Sequence, residues 1–169
     1  MLDRVLHTKR LKLRPVRAAD AKDIAEGIGE WDVMRWLTSP PWPYTLADAQ
    51  WYANQEPMDG KYGIEIDGAV RGNVSISQEL EIGYWLAIPY HGHGYMTEAA
   101  SALVAAHFAQ SDETLLSGYL LGNAASANVL GKVGFENTHL RTDYSKPMKQ
   151  DVDVQRMELS AESFRARHV

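Results

Sequence analysis

The chain has no cysteine, only three phenylalanines, no long apolar run and no excess of positive charge. The first absence excludes disulfides, thiolate metal sites and a cysteine nucleophile. No apolar stretch approaches the ~20 residues that span a bilayer, so no membrane association is expected. The opening "MLDRVLHTKRLKLRPV" alternates charge and apolarity where a secretory leader needs a continuous apolar core, and the cytoplasm is the expected compartment. A formal charge of −5 argues against nucleic acid or an anionic membrane as partner, since either would favour a basic face. What remains is an ordinary soluble composition, 45% hydrophobic and 23% charged. At 169 residues it is most simply one domain, 1–169, long enough to bury a core.

Patterning along the chain predicts a mixed α/β fold. "RLKLRPV" (10–16) alternates as a first strand, and 18–37 carries Ile24, Ile28, Trp31, Met34 and Trp36 at roughly helical spacing. Gly27 and Gly29 are expected to divide that segment into two short helices. A proline-rich loop (38–44) precedes a helix capped by Thr45, with Asp48 placed as the capping-box acid. Two alternating runs flank Asp67-Gly68 (61–77), the signature of a type I′ hairpin. A strand over 79–88 closes at Pro89; a helix over 96–110, a strand over 114–122 and a helix over 124–133 follow. Two further strands are expected, over 134–144 and 151–160. The reading is a mostly antiparallel sheet of about six or seven strands with helices on both faces and one βαβ crossover within 79–121.

The stretch "AIPYHGHGYMTEAA" (87–100) puts glycines at 92 and 94 directly before a helix start. Unpaired N–H groups and the helix macrodipole make such a place receptive to phosphate, and glycine lets an anion approach the main chain. A plain strand-to-helix turn would need the same glycines, so the loop alone does not decide. Position 97 is Thr, which excludes a G-x-G-x-x-G dinucleotide loop, and no G-x-x-x-x-G-K-S/T string occurs.

Taken with "NAASANVLGKVGFE" (123–136), the segment "EIGYWLAIPYHGHGYMTEA" closely resembles the GNAT superfamily of acyl-CoA-dependent N-acetyltransferases, nearest the branch of ribosomal-protein N-terminal acetyltransferases. The resemblance covers nearly the whole chain, from "LRPVRAADA" onward. It implies acetyl-CoA as cosubstrate, with its pyrophosphate on the amides of Gly92, His93, Gly94, Tyr95, Met96 and Thr97. The pantetheine arm would follow the strand edge at Trp85, Leu86, Ala87 and Ile88, in a cleft where the fourth and fifth strands splay apart. Asn123 and Ser126 match the residues that reach the pantetheine and the sulfur end. Two positions depart from the family's Q/R-x-x-G-x-G/A loop: His91 replaces Gln or Arg, and Met96 replaces a small residue. Leu130 stands where many members carry a proton-donating tyrosine.

Beside the resemblance stand the residues themselves. Glu81 lies inside an otherwise apolar strand, where an acid is costly unless paired or wet. It reads either as the base that takes a proton from an ammonium or as a strand-edge partner of Arg71 or a similar cation, with Glu79 the lesser candidate. Ser126 reads as the proton donor to a departing thiolate, as the cap of its own helix, or as both. His91 and His93 have no third ligand at metal spacing, and no metal is expected. Trp31, Trp36, Trp42, Tyr44, Trp51 and Tyr52, with Glu30 and Asp32, crowd the first third; most serve packing, and the resemblance places this segment at the acceptor pocket. Ala161–Val169 reads as a mobile or docking tail with Arg165 and Arg167 in solvent, and an alternating last strand left at a sheet edge would favour a homodimer.

The function expected is acetyl transfer from acetyl-CoA to a primary amine, by direct attack in a ternary complex. A protein N-terminus, an aminoglycoside-like drug, a polyamine and an amino-acid derivative all remain open as acceptors. The alternative is a non-catalytic acyl-CoA-binding module; a nucleotide-binding redox protein stands further off.

Overall fold

In the computed structural model, which describes residues 2, 4–56 and 60–167, the chain runs β1 (Leu6–His7), β2 (Lys12–Arg14), α1 (Ala21–Ile28), α2 (Trp31–Met34) and α3 (Leu46–Ala53). It continues through β3 (Lys61–Ile66), β4 (Ala69–Ile76), β5 (Ile82–Leu86), α4 (Tyr95–Phe108), β6 (Leu115–Leu120) and α5 (Ala124–Val133). It ends with β7 (Glu136–Ser145), β8 (Gln150–Leu159) and α6 (Ala161–Arg167). Among the described residues eight strands therefore form, one of them a two-residue β1 too short to leave a sequence pattern.

Five antiparallel strands in the order β1-β2-β3-β4-β5 make one sheet, and β6-β8-β7 make a second. Among the described residues the two are bridged in parallel between Glu81 and Leu116, so the expected crossover β5–α4–β6 joins strands that meet only at their starts. Asp67 and Gly68 both take positive φ, 52° and 83°, as a type I′ turn demands, and they set the β3–β4 register. Thr45 and Asp48 cap α3 reciprocally, as the sequence predicts.

Helices cover both faces. On one, α4 and α5 supply Ala99, Leu103, Val104, Leu130 and Val133 to a core shared with Leu13, Ile64, Val74 and Leu115. On the other, α1, α2 and α3 bury Ile24, Ile28, Met34 and Ala49 against Val70.

Three expectations change. Only the Gly29–Glu30 step divides the first helical segment; Gly27 lies within α1, where a Cβ would stand 2.8 Å from the Trp85 ring. The strand predicted from 79 begins at Ile82, because the Ser77 hydroxyl and carbonyl draw Glu79, Leu80 and Glu81 into a turn, leaving Leu80 at φ 62°. The last strand is no edge: β8 lies between β6 and β7, and the open edge of that sheet is β7. The tail, expected as mobile or docking, docks as α6, with the Phe164 ring 5.2 Å from Phe108; Arg165 and Arg167 are exposed as expected, Arg165 paired to Asp112 at 2.5 Å. Residues 168–169 of the expected tail lie outside the described residues.

Candidate active site

Beyond the Glu81–Leu116 bridge the two sheets diverge, and Ser117 Oγ, donating to the Ile82 carbonyl at 3.1 Å, closes the apex of the gap. The gap opens into a cavity of about 560 Å³. Strand pairing decides which backbone groups face it. Ala87 N donates to Arg71 O at 2.8 Å, so the 87–71 pair is hydrogen-bonded and the flanking Leu86–Gly72 pair is not. By the same alternation the N–H and C=O groups of Tyr84 and Leu86 point away from β4, into the gap. The outward strand edge is thus offered by Tyr84 and the Leu86 amide, while the main chain of Trp85 and the amide of Ala87 are spent on β4 and the Ala87 carbonyl accepts from Tyr90 N at 3.0 Å. Trp85 still lines the cavity through its side chain; Ala87 and Ile88 do not.

At one end lies the glycine loop. Gly92 and Gly94 both sit at positive φ, 76° and 77°, and Gly94 is the N-cap of α4. The amides of Tyr95, Met96 and Thr97 open the helix, where geometry denies them intrahelical partners. A Cβ at Gly92 would meet nothing within 4 Å, so the loop surface is bare main chain. Met96, which replaces the family's small residue, is buried in the main core. His93 lies outside the cavity lining, its ring beside Tyr95. His91 Nε2 lies 2.6 Å from the Leu86 carbonyl, on the free strand edge. Arg10 braces the loop from the N-terminal segment: its Nη1 donates to the His93 carbonyl at 2.9 Å and its Nε to Glu98 at 2.7 Å.

Where α5 begins, Asn123 Oδ1 accepts from Ser126 N at 3.1 Å and caps the helix. Ser126 Oγ lies 2.8 Å from the Tyr84 hydroxyl, which also donates to the Ser126 carbonyl at 3.4 Å. Burial pushes the Tyr84 phenol up to about 12, against a small opposing pull from its Ser126 hydrogen bond.

The opposite chamber is charged. Glu81 Oε1 accepts from Arg156 Nη1 at 2.7 Å; the arginine side chain is 8% exposed and the glutamate 41%. Among the described residues, Glu81 Oε2 has no hydrogen-bond partner. Arg71, the partner expected for Glu81, instead pairs with Asp23. Glu79 lies exposed in the turn before β5, outside the cavity lining. Asp32 and Asp143 complete the chamber's acids. Its roof is a clasp in which Lys146 N donates to Thr38 O at 2.9 Å and Ser145 Oγ to Leu37 O at 3.4 Å. Of the aromatic group expected here only Trp36 lines the cavity, and of its acids only Asp32; Trp31 and Trp42 pack on each other with ring centres 4.9 Å apart, and Trp51 is exposed.

One cavity therefore brings together Glu81, Ser126, Asn123, Trp85, Leu86, Gly92, Gly94, Tyr95, Met96 and Thr97. Two residues the sequence reading passed over, Tyr84 and Arg156, hold its two chemical groups in place. The string "IGYWL" displays Tyr84, but nothing local marks its hydroxyl as the partner of a serine 42 positions away.

The chain matches the model of the family described as acetyltransferase (GNAT) domain over residues 10–136. No curated protein matches it closely enough to count as a relative. Among solved structures, an acetyltransferase of the GNAT family from Bacillus anthracis superposes with a TM-score of 0.83 at 19% identity, over 94% of this chain and 99% of that one. A ribosomal-protein alanine acetyltransferase from Vibrio fischeri gives 0.71 at 19%, over 91% and 96%. RimL, a ribosomal alpha-N-protein acetyltransferase solved in complex with coenzyme A, gives 0.75 at 17%, over 92% and 97%.

Proposed function

From the chain's membership of the acetyltransferase (GNAT) domain family, which the match over residues 10–136 establishes, we propose that it transfers an acetyl group from acetyl-CoA to a primary amine. The observation that carries this reading is the single cavity between β5 and β6, with bare helix-start amides at one end and a carboxylate-lined chamber at the other. The pyrophosphate rests on the loop at 92–97, where unpaired N–H groups and the macrodipole receive negative charge. The pantetheine arm pairs with the outward main chain of Tyr84 and Leu86 and passes Asn123, which carries the thioester to the narrow end of the gap near Ser126. Complex formation with coenzyme A in a structural neighbour supports coenzyme A as the ligand.

The amine enters past Asp32 and Asp143, acids that attract it as ammonium. Glu81, held by Arg156 through Oε1, offers Oε2 to its proton, directly or through water. The freed nitrogen attacks the thioester carbon. An N–C bond forms, the C–S bond breaks with its electron pair leaving on sulfur, the nitrogen gives up its second surplus proton to water, and the Ser126 hydroxyl hydrogen-bonds the departing thiolate. Much of the rate enhancement comes from positioning the two reactants together. No cysteine exists to carry the acetyl group, so a single direct displacement is the economical route.

Initial rates measured over a grid of acetyl-CoA and amine concentrations test this. A ternary complex gives reciprocal plots that intersect; parallel lines would mean an acetyl-enzyme and another mechanism.

A further inference from the structure

Among the cavity's polar groups with no assigned task, the Tyr84 hydroxyl has a definite geometry beside Ser126. Its position is specific. It reaches from the middle of β5 to the first turn of α5, across the strand edge where the thioester is placed, and touches both oxygens of one residue. A carbonyl can only accept, so Tyr84 is the donor in the 3.4 Å contact with Ser126 O, whereas either hydroxyl can donate across the 2.8 Å contact with Ser126 Oγ. A phenol has one proton to give. When Tyr84 gives it to Ser126 Oγ, the Ser126 proton is left for another acceptor. Ser126 lines the cavity, and the Ser126 amide is already held by Asn123.

We infer that Tyr84 is a positioning residue which holds the Ser126 hydroxyl with its proton pointed at the acyl-donor sulfur, ready when the C–S bond breaks. The inference rests on the proposed acetyl transfer and on Ser126 as donor. No net proton leaves Tyr84 in this role: the amine nitrogen loses one proton to Glu81 and its second to water as it bonds to the carbonyl carbon, the thiolate takes the C–S electron pair, and Ser126 gives its hydrogen bond to that sulfur. Burial keeps the phenol protonated, and so a donor, across the neutral range. Substituting phenylalanine keeps the ring, which packs against the main core, and deletes only the hydroxyl.

The test is a kinetic cycle on the full chain with acetyl-CoA and one accepted amine: Tyr84→Phe, Ser126→Ala and the double variant, with melting temperatures alongside. Tyr84→Phe is expected to lower kcat about tenfold, the worth of one oriented hydrogen bond, with the KM for acetyl-CoA and the melting temperature unmoved. The double variant should be no slower than Ser126→Ala alone, since both act on one proton. If Ser126→Ala slows turnover while Tyr84→Phe runs at the wild-type rate, or if the two losses simply multiply, Tyr84 does not work through Ser126 and the inference is wrong. A Tyr84→Phe loss that sits in KM or in the melting temperature overturns it as well, by making the contact one of packing. If neither variant changes kcat, the Ser126 reading falls and takes the Tyr84 role with it.

Discussion

Arg156 Nη1 stands 2.7 Å from Glu81 Oε1, joining the centre of β8 to the residue at which β5 and β6 part. The buried guanidinium fixes a half-exposed carboxylate at the apex of the cleft, where it lines the cavity. Glu81→Gln should lower kcat about 10²-fold at low pH and recover part of the loss as rising pH deprotonates the free amine. Because the carboxylate is 41% exposed and well screened, the accompanying loss of stability should stay below about 2 kcal/mol. The pH profile of kcat, read beside a urea titration, checks both. A loss under tenfold with an unmoved profile would hand the proton to water.

Gly94→Val should remove coenzyme binding from a chain that still folds. Gly94 caps α4 at φ 77°, a conformation that costs an L-residue about 1–2 kcal/mol and a β-branched one more. Its added Cβ would stand in ordinary contact with Arg10 Nη2 at 3.5 Å, so the backbone angle and the covered amides carry the effect. Calorimetry with coenzyme A, alongside circular dichroism, is the check. Unchanged affinity in a folded variant would put the pyrophosphate elsewhere.

Gly83→Ala probes the cleft from its floor. The position lines the cavity, its φ is unexceptional, and a Cβ there would meet nothing within 4 Å. Neither turn nor packing asks for glycine, and alanine should leave the melting temperature equal or slightly higher, since a strand glycine costs roughly 0.5–1 kcal/mol. What it should lose is room: kcat/KM is expected to fall more steeply with propionyl-CoA and butyryl-CoA than with acetyl-CoA. Uniform rates across the three donors would place the acyl group away from Gly83.

These three residues also mark how far the sequence could be read. Gly94 and its loop were legible because consecutive residues do the work: two glycines, a helix start and the positive φ they permit. The hairpin at Asp67-Gly68 and the cap at Thr45 and Asp48 were legible for the same reason. What stayed hidden is pairing over distance. Nothing in "ELEIGYWL" distinguishes Arg71 from Arg156 as the partner of Glu81, because that choice depends on β8 entering the middle of its sheet, between β6 and β7. The same long-range placement decides which of the aromatics reach the cavity. Trp36 does so and Trp31 does not, because the clasp at Thr38 and Lys146 draws the chain after α2 over the chamber.

Acid should destabilise the fold through a cluster far from the cleft. Arg14, buried between β2 and the chain leading to α1, binds Asp20 at 2.8 and 2.9 Å and also pairs with Glu65. Burial alone would raise the Asp20 carboxyl, but hydrogen bonds from Arg14 and from the Arg17 amide outweigh it and hold it below its ordinary 3.8. Hydrogen bonding from Arg14 likewise lowers Glu65. Since both folded values lie below the unfolded ones, the stability they contribute is complete above about pH 5 and is lost as pH falls through 4 and below. Asp20→Asn should therefore cost about 3 kcal/mol at neutral pH by leaving a buried guanidinium short of a partner, and should flatten the acid limb of the stability curve. Urea midpoints between pH 3 and 7 for both proteins check it; an acid limb of unchanged steepness would contradict it.

The central claim, acetyl transfer from acetyl-CoA to an amine, is tested most directly by following free thiol release from acetyl-CoA across a panel of amines. The panel should hold short peptides with free N-termini, amino-acid amides, polyamines and an aminoglycoside. The account predicts thiol release that depends on at least one of these amines and matches, mole for mole, an N-acetylated product seen by mass spectrometry. Coenzyme A binding with no amine-dependent thiol release anywhere in the panel would contradict it, and would leave a module that binds acyl-CoA without using it.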